Sequence, residues 1–363
     1  MKTTRLILVG GFLGAGKTTL LFESTRLLMK DGKRVGLITN DQAPELVDTA
    51  LLALTEVQVE EVSGSCFCCN FGGFIQSINQ INSVHQADFI LAEPVGSCTD
   101  LSATIMQPLK EHHGTDLLLT PLTVLADPVK LDDILHGGQA GLHPDAAYIF
   151  AKQLEEADII VISKSDLLRP DDLDVLIAKT KSQFPDASVM SISSLDGVGL
   201  NDWISAVLES TATGKKIISV DYDRYAHGEA VMGWLNSMIQ LEGDSIDWDK
   251  FARDFMTELS KKMDQLDIAV GHIKIMLEAG MHFVTGNLTG KLNTLSLRGF
   301  AGISNDARLI INARVETSPH QLELLVKEAL YSVVKNSVKL KIKASRALSP
   351  GYPTPTYRYD KVI

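Results

Sequence analysis

The sequence predicts a doubly wound α/β domain with a mostly parallel sheet, followed by a smaller ferredoxin-like α+β domain. Over residues 1–213, short apolar runs alternate with helical stretches, and uninterrupted apolar runs are typical of parallel strands covered on both faces. Beyond residue 214, most predicted elements follow the order β-α-β-β-α-β, which is the ferredoxin-like order. Since 363 residues exceed one ordinary hydrophobic core, we expect two domains, at 1–213 and 214–363.

The first domain contains seven predicted strands, each followed by a helical stretch. Their apolar runs lie at 6–9, 35–39, 57–62, 89–92, 123–126, 159–163 and 188–192. Ligands of doubly wound sheets bind beyond the carboxyl ends of the strands. We therefore expect functional side chains just after these runs.

The second domain follows a small, polar stretch at 210–214, which is typical of a domain boundary. Its predicted elements are a strand at 229–241, a helix at 248–263, strands at 267–278, 292–298 and 307–316, a helix at 318–335 and a strand at 338–346. One strand is left over from the ferredoxin-like order. The Pro-rich tail at 349–357 cannot be helical, and we expect it to pack extended over the sheet.

Residues 11–19, G-F-L-G-A-G-K-T-T, fit the phosphate-binding pattern G-x-x-x-x-G-K-[ST] and lie between an apolar run and a helical stretch. The glycines allow successive N–H groups to turn toward phosphate oxygens, and the following helix adds its positive dipole end. Lys17 is expected to reach the β- and γ-phosphates, and the Thr18 hydroxyl is expected to bind Mg²⁺. The predicted phosphate-binding residues are Gly11, Gly14, Ala15, Gly16, Lys17, Thr18 and Thr19.

The segment I-S-K-S-D at 162–166 follows the sixth predicted strand and is similar to the N-K-x-D element with which GTPases read guanine. Asp166 can accept hydrogen bonds from two guanine donors that adenine does not offer together, so it is the predicted base selector. Lys164 is expected to lie along the base plane, while Ser163 stands where GTPases usually carry Asn. Ser193 follows the seventh strand and is expected to back the base. Alternatively, Asp166 simply caps the next helix.

Two carboxylates follow predicted strands. Glu93 ends the fourth strand, where it can hold a Mg²⁺-bound water or orient an attacking one, and Gly96 permits close approach to the γ-phosphate. Asp41 ends the second strand and can act in the same way. Each acid is also explained as a helix cap at a strand end.

Three cysteines, Cys66, Cys68 and Cys69, crowd into four positions. Such thiols can bind one soft transition-metal ion and leave a fourth ligand position open, which suits transfer better than storage. Redox chemistry and inert thiols are the alternatives. Cys98 either supplies the fourth ligand or is an ordinary buried thiol, and we favour the buried thiol because free Cys behaves as a small hydrophobe.

The overall composition excludes several classes of partner. A formal net charge of −11 and a pI near 5.3 disfavour general binding to nucleic acid or anionic membranes. No run of about 18 apolar residues occurs, so no transmembrane helix is expected. The cysteine spacing does not suit a disulfide framework, so we expect a reducing, cytoplasmic location.

Taken together, these features resemble the CobW-like family of P-loop GTPases. The phosphate loop, the Asn40–Asp41 strand end, the C-x-C-C triplet, Glu93-x-x-Gly96 and the S-K-S-D element occur in that family's order. Many relatives carry Glu after the second strand, where this chain has Pro44 and then Glu45.

The resemblance implies a P-loop NTPase fold and a GTP-hydrolysing metallochaperone. GTP or GDP with Mg²⁺ would control whether the thiols hold Zn²⁺ or Co²⁺ for a client metalloenzyme or corrinoid enzyme, bound through the C-terminal domain. Lys17, Glu93 and Asp41 would act in catalysis, with Thr18, Asp41 and Glu93 around Mg²⁺. A homodimer stays open, and some relatives are linked to cobalamin metabolism.

Two other functions fit the same residues. The first is a P-loop small-molecule kinase whose second domain binds the phosphate acceptor, which gives the cysteines no role. The second is a redox-sensing or metal-sensing adaptor whose loop binds nucleotide for stability only.

Overall fold

The computed structural model describes residues 3–41, 46–53, 55, 57–210, 213–290, 295–334 and 337–363. Pro44 and Glu45, part of the predicted boundary stretch at 211–212, and the first residues of the strand predicted at 292–298 lie outside this description. No helix within it is long and apolar enough to cross a membrane.

The first sheet has eight strands in the order β3-β2-β4-β1-β6-β7-β8, with β5 beside β1, and all neighbours are parallel. The strands are β1 Thr4–Gly11, β2 Val35–Asp41, β3 Gln58–Ser63, β4 Phe89–Glu93, β5 Leu117–Leu119, β6 Thr123–Ala126, β7 Ile159–Ile162 and β8 Ser188–Ser191. The doubly wound fold is therefore confirmed, with β5 as an unpredicted strand. Its three residues include an exposed Leu118, and so short a run has no readable period.

Eight helices connect these strands in the described chain. They are α1 Lys17–Lys30, α2 Val47–Ala53, α3 Phe71–His85, α4 Gln107–His113, α5 Pro128–Leu135, α6 Pro144–Glu156, α7 Pro170–Gln183 and α8 Leu200–Glu209, and a π-helical turn, Ser102–Met106, precedes α4. Two buried apolar clusters cover the two faces of the sheet. This burial explains why β2, β4, β6 and β7 are buried along their whole length.

The second sheet has six antiparallel strands in the order β12-β11-β10-β13-β9-β14. Its elements are β9 Gly233–Asp247, α10 Trp248–Gln265, β10 Val270–Ala279, β11 His282–Leu288, β12 Ser296–Phe300, β13 Ile303–Val315, α11 Pro319–Val334 and β14 Lys339–Leu348, preceded by α9 Tyr222–Ala230. Without β11 and β12, the chain follows β-α-β-β-α-β with the strand order β10-β13-β9-β14. The ferredoxin-like prediction is confirmed, with two additional strands instead of one.

Strand β11 was not predicted because it contains Gly286 and Asn287, which are depleted in strands. The glycine has a packing reason. A Cβ at Gly286 would lie 2.8 Å from Ile275 Cγ1 on the paired strand. Close approach of the two strands therefore explains the residue that weakened the strand signal.

The segment between the two sheets packs against the first one. Gly214 N donates to Asp158 Oδ2 at 2.6 Å, and Asp221 N donates to Tyr148 Oη at 2.7 Å. The second sheet begins at Gly233. The division at residue 213 stays a prediction, and these contacts favour a structural boundary nearer to residue 232.

The C-terminal tail returns to the first domain. Thr356 N donates to Cys68 O at 2.8 Å, Arg358 Nε donates to Asp100 Oδ2 at 2.7 Å, and Tyr359 N donates to Ala103 O at 3.1 Å. The tail lies over the cysteine loop and the π-helical turn, instead of over the sheet as predicted.

Candidate functional site

A cavity of about 930 Å³ lies between the carboxyl ends of the first sheet's strands and the second sheet. The phosphate loop, the ends of β2 and β4, and the segment after β7 form one wall, and β10, β11, β12 and β13 contribute the other. A drug-sized or nucleotide-sized ligand fits this volume. Both sheets therefore contribute to the site.

The phosphate loop has the backbone that anion binding needs. Gly14 and Gly16 have φ values of 78° and 93°, and a Cβ at Gly14 would lie 2.5 Å from Thr289 Cγ2. Helix α1 begins after Gly16, and no side chain caps its first turn. The free N–H groups and the helix dipole therefore face the cavity, where phosphate oxygens can accept their hydrogen bonds.

Lys17 is buried at the floor of this loop. Its Nζ donates to Gly11 O at 2.8 Å and lies 3.8 Å from Glu93 Oε1. Burial lowers the pKa of Lys17, while the Glu93 carboxylate opposes that shift. A phosphate group would offer the ammonium a stronger partner than a carbonyl oxygen does.

Three oxygen-bearing side chains converge beside Lys17. Thr18 Oγ1 lies 3.0 Å from Glu93 Oε2 and 2.8 Å from Asp48 Oδ1. Burial, followed by the charge of Asp48, raises the pKa of Glu93. Hydroxyl and carboxylate oxygens are the ligands that Mg²⁺ prefers, so this cluster fits a magnesium ion held next to bound phosphates.

Asp48 was missed by the sequence analysis. It lies near the start of α2, follows no strand directly and belongs to no spacing pattern. Burial alone would raise the pKa of Asp48, but the Lys274 ammonium outweighs it and holds that pKa below its ordinary value.

Lys274 brings a positive charge from β10 of the second sheet. Its Nζ donates to Asp48 Oδ1 at 2.7 Å and to Thr18 Oγ1 at 3.4 Å. Burial would lower the pKa of Lys274, but Asp48 and Glu93 raise it above its ordinary value. The second domain therefore supplies a fully charged cation to the predicted magnesium site.

Asp41 also pairs with the second domain. Arg314 Nη2 donates to Asp41 Oδ2 at 2.5 Å, and the guanidinium lies 4.2 Å from the Trp234 ring. Asp41 and Arg314 line the same cavity as Thr18 and Glu93. The roles of Asp41 in catalysis and in magnesium binding stay predictions.

Three of the predicted base-binding residues follow β7 and line the same cavity as the phosphate loop. Lys164, Asp166 and Ser163 line it, together with Ser194. Lys164 has a positive φ of 52°, and its Nζ donates to Asp127 Oδ2 at 2.7 Å. An exposed Asp166 carboxylate beside this turn is free to meet a base edge.

Two serines of this region differ in their surroundings. Ser163 Oγ donates to Ala126 O at 3.1 Å, so it links β7 to β6. Ser193 is buried, and its Oγ lies 3.3 Å from Asp196 Oδ2. Ser193 is absent from the cavity wall, whereas its neighbour Ser194 lines it.

The thiols form a separate, mostly buried cluster beyond the end of β3. Cys66 Sγ lies 3.0 Å from Cys68 Sγ and 3.1 Å from Cys69 Sγ, and Cys68 and Cys69 are 3.8 Å apart. Hydrogen bonding with Cys68 and Cys69 holds the pKa of Cys66 well below its ordinary value. The same contact with Cys66 raises the pKa of Cys69 to about 11. The spacing fits three sulfur ligands around one soft metal ion.

Asn40 positions the thiol loop from the end of β2. Its Nδ2 donates to Val62 O and Ser65 O, both at 2.8 Å, and its Oδ1 accepts from Phe67 N at 2.8 Å. Asn40 therefore holds both sides of the loop. Asn40 also lines the cavity, so the same residue belongs to the cavity wall and to the support of the thiol loop.

The C-terminal tail covers the outer side of the thiol cluster. Thr356 Oγ1 donates to Cys69 O at 3.3 Å, and the Tyr357 ring packs edge-on against Phe71 at 5.2 Å. Cys69 is half-buried, whereas Cys66 and Cys68 are only 6% and 3% exposed. A metal ion entering from solvent therefore meets Cys69 and the tail first.

Comparisons with known proteins agree with the resemblance derived from the motifs. A family model described as CobW/HypB/UreG, nucleotide-binding domain, matches residues 5–191, which is just over half of the chain. The zinc chaperone YeiR of Escherichia coli strain K12 is 30% identical over 176 residues, covering 46% of this chain and 48% of that protein. The zinc chaperone CobW of Sinorhizobium sp is 29% identical over 180 residues, covering 44% and 50%. The chain thus matches about half the length of these curated relatives.

Solved structures also align with this chain. The hydrogenase maturation factor HypB from Archaeoglobus fulgidus is 18% identical, covering 57% of this chain and 90% of that chain, with a TM-score of 0.42.

Proposed function

Since the chain belongs to the CobW/HypB/UreG family of nucleotide-binding proteins, we propose that it is a GTP-hydrolysing metallochaperone whose nucleotide state controls metal affinity. One observation carries the proposal: a phosphate site and a thiol cluster lie in one domain, with Asn40 and Asp41 between them. Changes at the end of the cavity that holds Lys17 and Thr18, the phosphate end, can therefore reach the thiols through a short segment of the chain.

The nucleotide is GTP in this proposal. Lys17 and the N–H groups at the start of α1 bind the phosphates, and Asp166 accepts hydrogen bonds from the guanine edge. Thr18, Glu93 and Asp48 provide the oxygens for Mg²⁺, which would neutralise charge on the phosphate oxygens. The predicted set is Thr18, Asp41 and Glu93, so the proposal replaces Asp41, which is paired with Arg314, by Asp48.

Glu93 has a second proposed task. Its raised pKa makes it a better proton acceptor than an ordinary carboxylate, and it lies next to Lys17, where the γ-phosphate would end. We assign it the orientation of the attacking water. Gly96 leaves room for the phosphate, because a Cβ there would lie 3.1 Å from Lys17 Nζ.

The metal cargo is Zn²⁺ or Co²⁺, held by Cys66, Cys68 and Cys69. Thiolates select soft or borderline ions over Mg²⁺, so the two metal sites do not compete for the same ion. The client is a metalloenzyme or corrinoid enzyme that docks on the C-terminal domain, and the protein acts in the cytoplasm. A homodimer is compatible with this arrangement.

Nucleotide hydrolysis and zinc binding test the proposal together. Purified protein with Mg²⁺ should release phosphate from GTP without any acceptor molecule, and more slowly from ATP because adenine leaves Asp166 unpaired. Reduced protein should bind one Zn²⁺ with an affinity that falls at least about tenfold in Cys66→Ser. A Cys66→Ser variant that binds zinc as tightly as the wild type, or a wild-type protein that releases no phosphate from GTP, would contradict the proposal.

A small-molecule kinase is the alternative that the structure supports best. The cavity continues past the phosphate loop to polar side chains of β11 and β12, including Thr285, Asn287 and Arg298, where an acceptor could bind. This alternative predicts negligible phosphate release from GTP alone. Release without an acceptor therefore separates the two functions.

A further inference from the structure

One face of the second sheet carries basic side chains beside the phosphate loop. His272 and Lys274 lie two residues apart on β10, so their side chains leave the same face of the sheet. Arg314 on β13 is the direct cross-strand neighbour of His272. The cavity wall includes all three, together with Lys17 and Thr18. The second sheet therefore presents a basic surface to the phosphate end of the cavity.

This surface is packed against the phosphate loop. A Cβ at Gly271 would lie 3.0 Å from Leu13 Cδ1, so the start of β10 lies directly on the loop. Lys130 Nζ donates to Leu13 O at 3.0 Å and to Gly271 O at 3.4 Å, which joins the loop to the strand. Asn312 Oδ1 on β13 accepts from Val47 N at 2.7 Å, which holds the start of α2 to the same sheet. Packing on both sides therefore places the basic face at the phosphate end.

Three cations of this cavity are each paired with a carboxylate. The pairs are Lys17–Glu93 at 3.8 Å, Lys274–Asp48 at 2.7 Å and Arg314–Asp41 at 2.5 Å. Desolvation largely offsets the attraction in a buried ion pair, so such pairs are weak evidence of a purely structural role. Their grouping around one cavity favours a role in binding, in which the carboxylates take the places of phosphate oxygens.

The Lys274 ammonium lies among the proposed magnesium ligands. Its Nζ is 2.7 Å and 3.0 Å from the two Asp48 oxygens and 3.4 Å from Thr18 Oγ1. A magnesium ion bound to these oxygens would repel the ammonium, which would then need another anion. Because Mg²⁺ in such sites bridges β- and γ-phosphate oxygens, the γ-phosphate would lie beside it.

His272 gives a second observation at the same place. Its Nδ1 is buried and has no hydrogen-bond partner among the described residues, although the side chain lines the cavity. Burial, followed by the charges of Lys274 and Arg314, holds the pKa of His272 well below its ordinary value. Buried polar atoms are rarely left unpaired. A bound anion would offset these positive charges and supply an acceptor.

We propose that Lys274 binds the γ-phosphate and thereby makes the second sheet distinguish GTP from GDP. This inference rests on the proposed GTP-hydrolysing function and adds to it a specificity-determining residue from the second domain. When GTP binds with Mg²⁺, Asp48 exchanges Lys274 for the metal ion, and the ammonium donates to a γ-phosphate oxygen. With GDP there is no γ-phosphate, so the ammonium stays on Asp48. The domain proposed to dock the client thus responds to the nucleotide directly.

Nucleotide affinities in the presence of Mg²⁺ test the inference. Lys274→Met removes the charge and keeps a long side chain. Its affinity for a non-hydrolysable GTP analogue should fall at least about tenfold, because a charged hydrogen bond is lost, whereas its affinity for GDP should not fall. The control Lys250→Met removes an exposed ammonium paired with Asp254 and should keep both affinities.

A crystal structure of the wild type with Mg²⁺ and the GTP analogue gives a readout that does not depend on how the variant folds. It should show Lys274 Nζ within about 3 Å of a γ-phosphate oxygen. An ammonium that stays on Asp48 without this contact would overturn the inference, as would equal losses of GTP-analogue and GDP affinity in Lys274→Met.

The failure of this inference can be told from the failure of the proposed function. If the wild type hydrolyses GTP and binds zinc, while Lys274→Met keeps the wild-type preference for the GTP analogue over GDP, only this inference fails. If the wild type releases no phosphate from GTP, the proposed function fails with it.

Discussion

The phosphate end of the cavity and the thiol cluster are built on opposite principles. The phosphate end gathers charged and hydroxyl groups from both sheets, with Lys17, Thr18 and Asp48 from the first and Lys274 from the second. The thiol cluster is a compact set of sulfurs from the first domain, covered by the C-terminal tail. The first site offers oxygen ligands, which suit a hard ion, and the second offers sulfur ligands, which suit a soft ion.

The difference shows where coupling can arise. Asn40 lines the cavity and its side chain also hydrogen-bonds the thiol loop, so an effect of nucleotide on metal can pass through this residue. The end of β2 is therefore the connection between the two sites. Variants of Lys17 and Lys274 change the phosphate end, a variant of Asn40 changes the connection, and a variant of Glu156 changes neither site.

Lys17→Ala should have the largest effect, and it should act on the phosphate end alone. Removing the ammonium deprives the β- and γ-phosphates of their buried cation, so the GTP hydrolysis rate should fall at least about a hundredfold. Zinc affinity without nucleotide should stay within about twofold, because the partners of Lys17 among the described residues are Gly11 and Glu93 and not the three thiols. Steady-state phosphate release and a zinc titration on the same sample measure both.

The exposed Lys179 is a suitable control for this variant. If Lys179→Ala lost as much activity as Lys17→Ala, the role assigned to the phosphate loop would be wrong. If the protein were instead an adaptor that binds nucleotide for stability only, the Lys17→Ala variant would keep its cellular role.

Lys274→Ala tests whether the second sheet takes part in the phosphate end. The Lys274 ammonium lowers the pKa of Asp48, so in the variant Asp48 takes up its proton at a higher pH. On acidification, activity should therefore be lost at a higher pH than in the wild type. The acidic limb of the pH–rate profile should shift to higher pH. Loss of the charged hydrogen bonds should also cost about 1.5–3 kcal/mol of stability.

Lys250 provides a matched pair on the surface, since its Nζ lies 2.5 Å from Asp254. Lys250→Ala should change the free energy of unfolding by less than about 1 kcal/mol and leave the rate profile in place. Identical pH–rate profiles for Lys274→Ala and the wild type would show that Lys274 does not act in the nucleotide site.

Asn40→Ala should weaken the connection and leave the thiols intact. The variant leaves Phe67 N, Val62 O and Ser65 O without their partner, at a cost of about 1–3 kcal/mol. The difference in zinc affinity between the GTP and GDP states should shrink. Chelator competition in both states measures it.

Asn82→Ala controls for the loss of a partly buried asparagine contact, because Asn82 accepts a hydrogen bond from Thr4 and lies near the C-terminal end of α3, away from the thiols. An unchanged nucleotide dependence in Asn40→Ala would show that the end of β2 does not connect the two sites.

Much of the fold could be predicted from local sequence, but the phosphate end could not be predicted completely. The seven long apolar runs identify strands buried on both faces, since burial leaves a signal within a few residues. Asp48, Lys274 and Arg314 leave no such signal. Lys274 and Arg314 reach the cavity only because the second sheet folds over the first. Lys274 thereby meets Asp48, which precedes it by 226 residues in the chain.

The thiol cluster shows the same limit. The C-x-C-C spacing predicts three neighbouring sulfurs, because close spacing keeps them together in any compact loop. The covering tail depends on the path of the last residues, such as Thr356. The path of this tail has no periodic sequence pattern that could predict it.

Glu156→Gln should have the smallest effect and should touch neither site. Burial raises the pKa of Glu156 to about 8 from an ordinary value of 4.5. The folded state therefore retains a proton that the unfolded state releases, and stability contributed by this group falls as the pH rises from about 4.5 to about 8. The glutamine cannot titrate. The melting temperature of the variant minus that of the wild type should therefore increase by roughly a few degrees between about pH 5.5 and about pH 8.

Glu155 is the exposed neighbour and serves as the control, since its carboxylate pairs with Lys152 at the surface. The melting temperature of Glu155→Gln should change with pH in the same way as that of the wild type across that range. A parallel curve for Glu156→Gln as well would show that Glu156 is charged in the folded protein.

The most direct measurement of the central claim is the zinc affinity of the wild-type protein in its two nucleotide states. Competition against a chromophoric chelator, with Mg²⁺ and either GDP or a non-hydrolysable GTP analogue, gives both values on one preparation. The account predicts affinities that differ by about 5–150-fold, which corresponds to a coupling free energy of about 1–3 kcal/mol. Equal affinities in the two states would show that the phosphate end and the thiol cluster act independently, and would contradict the account.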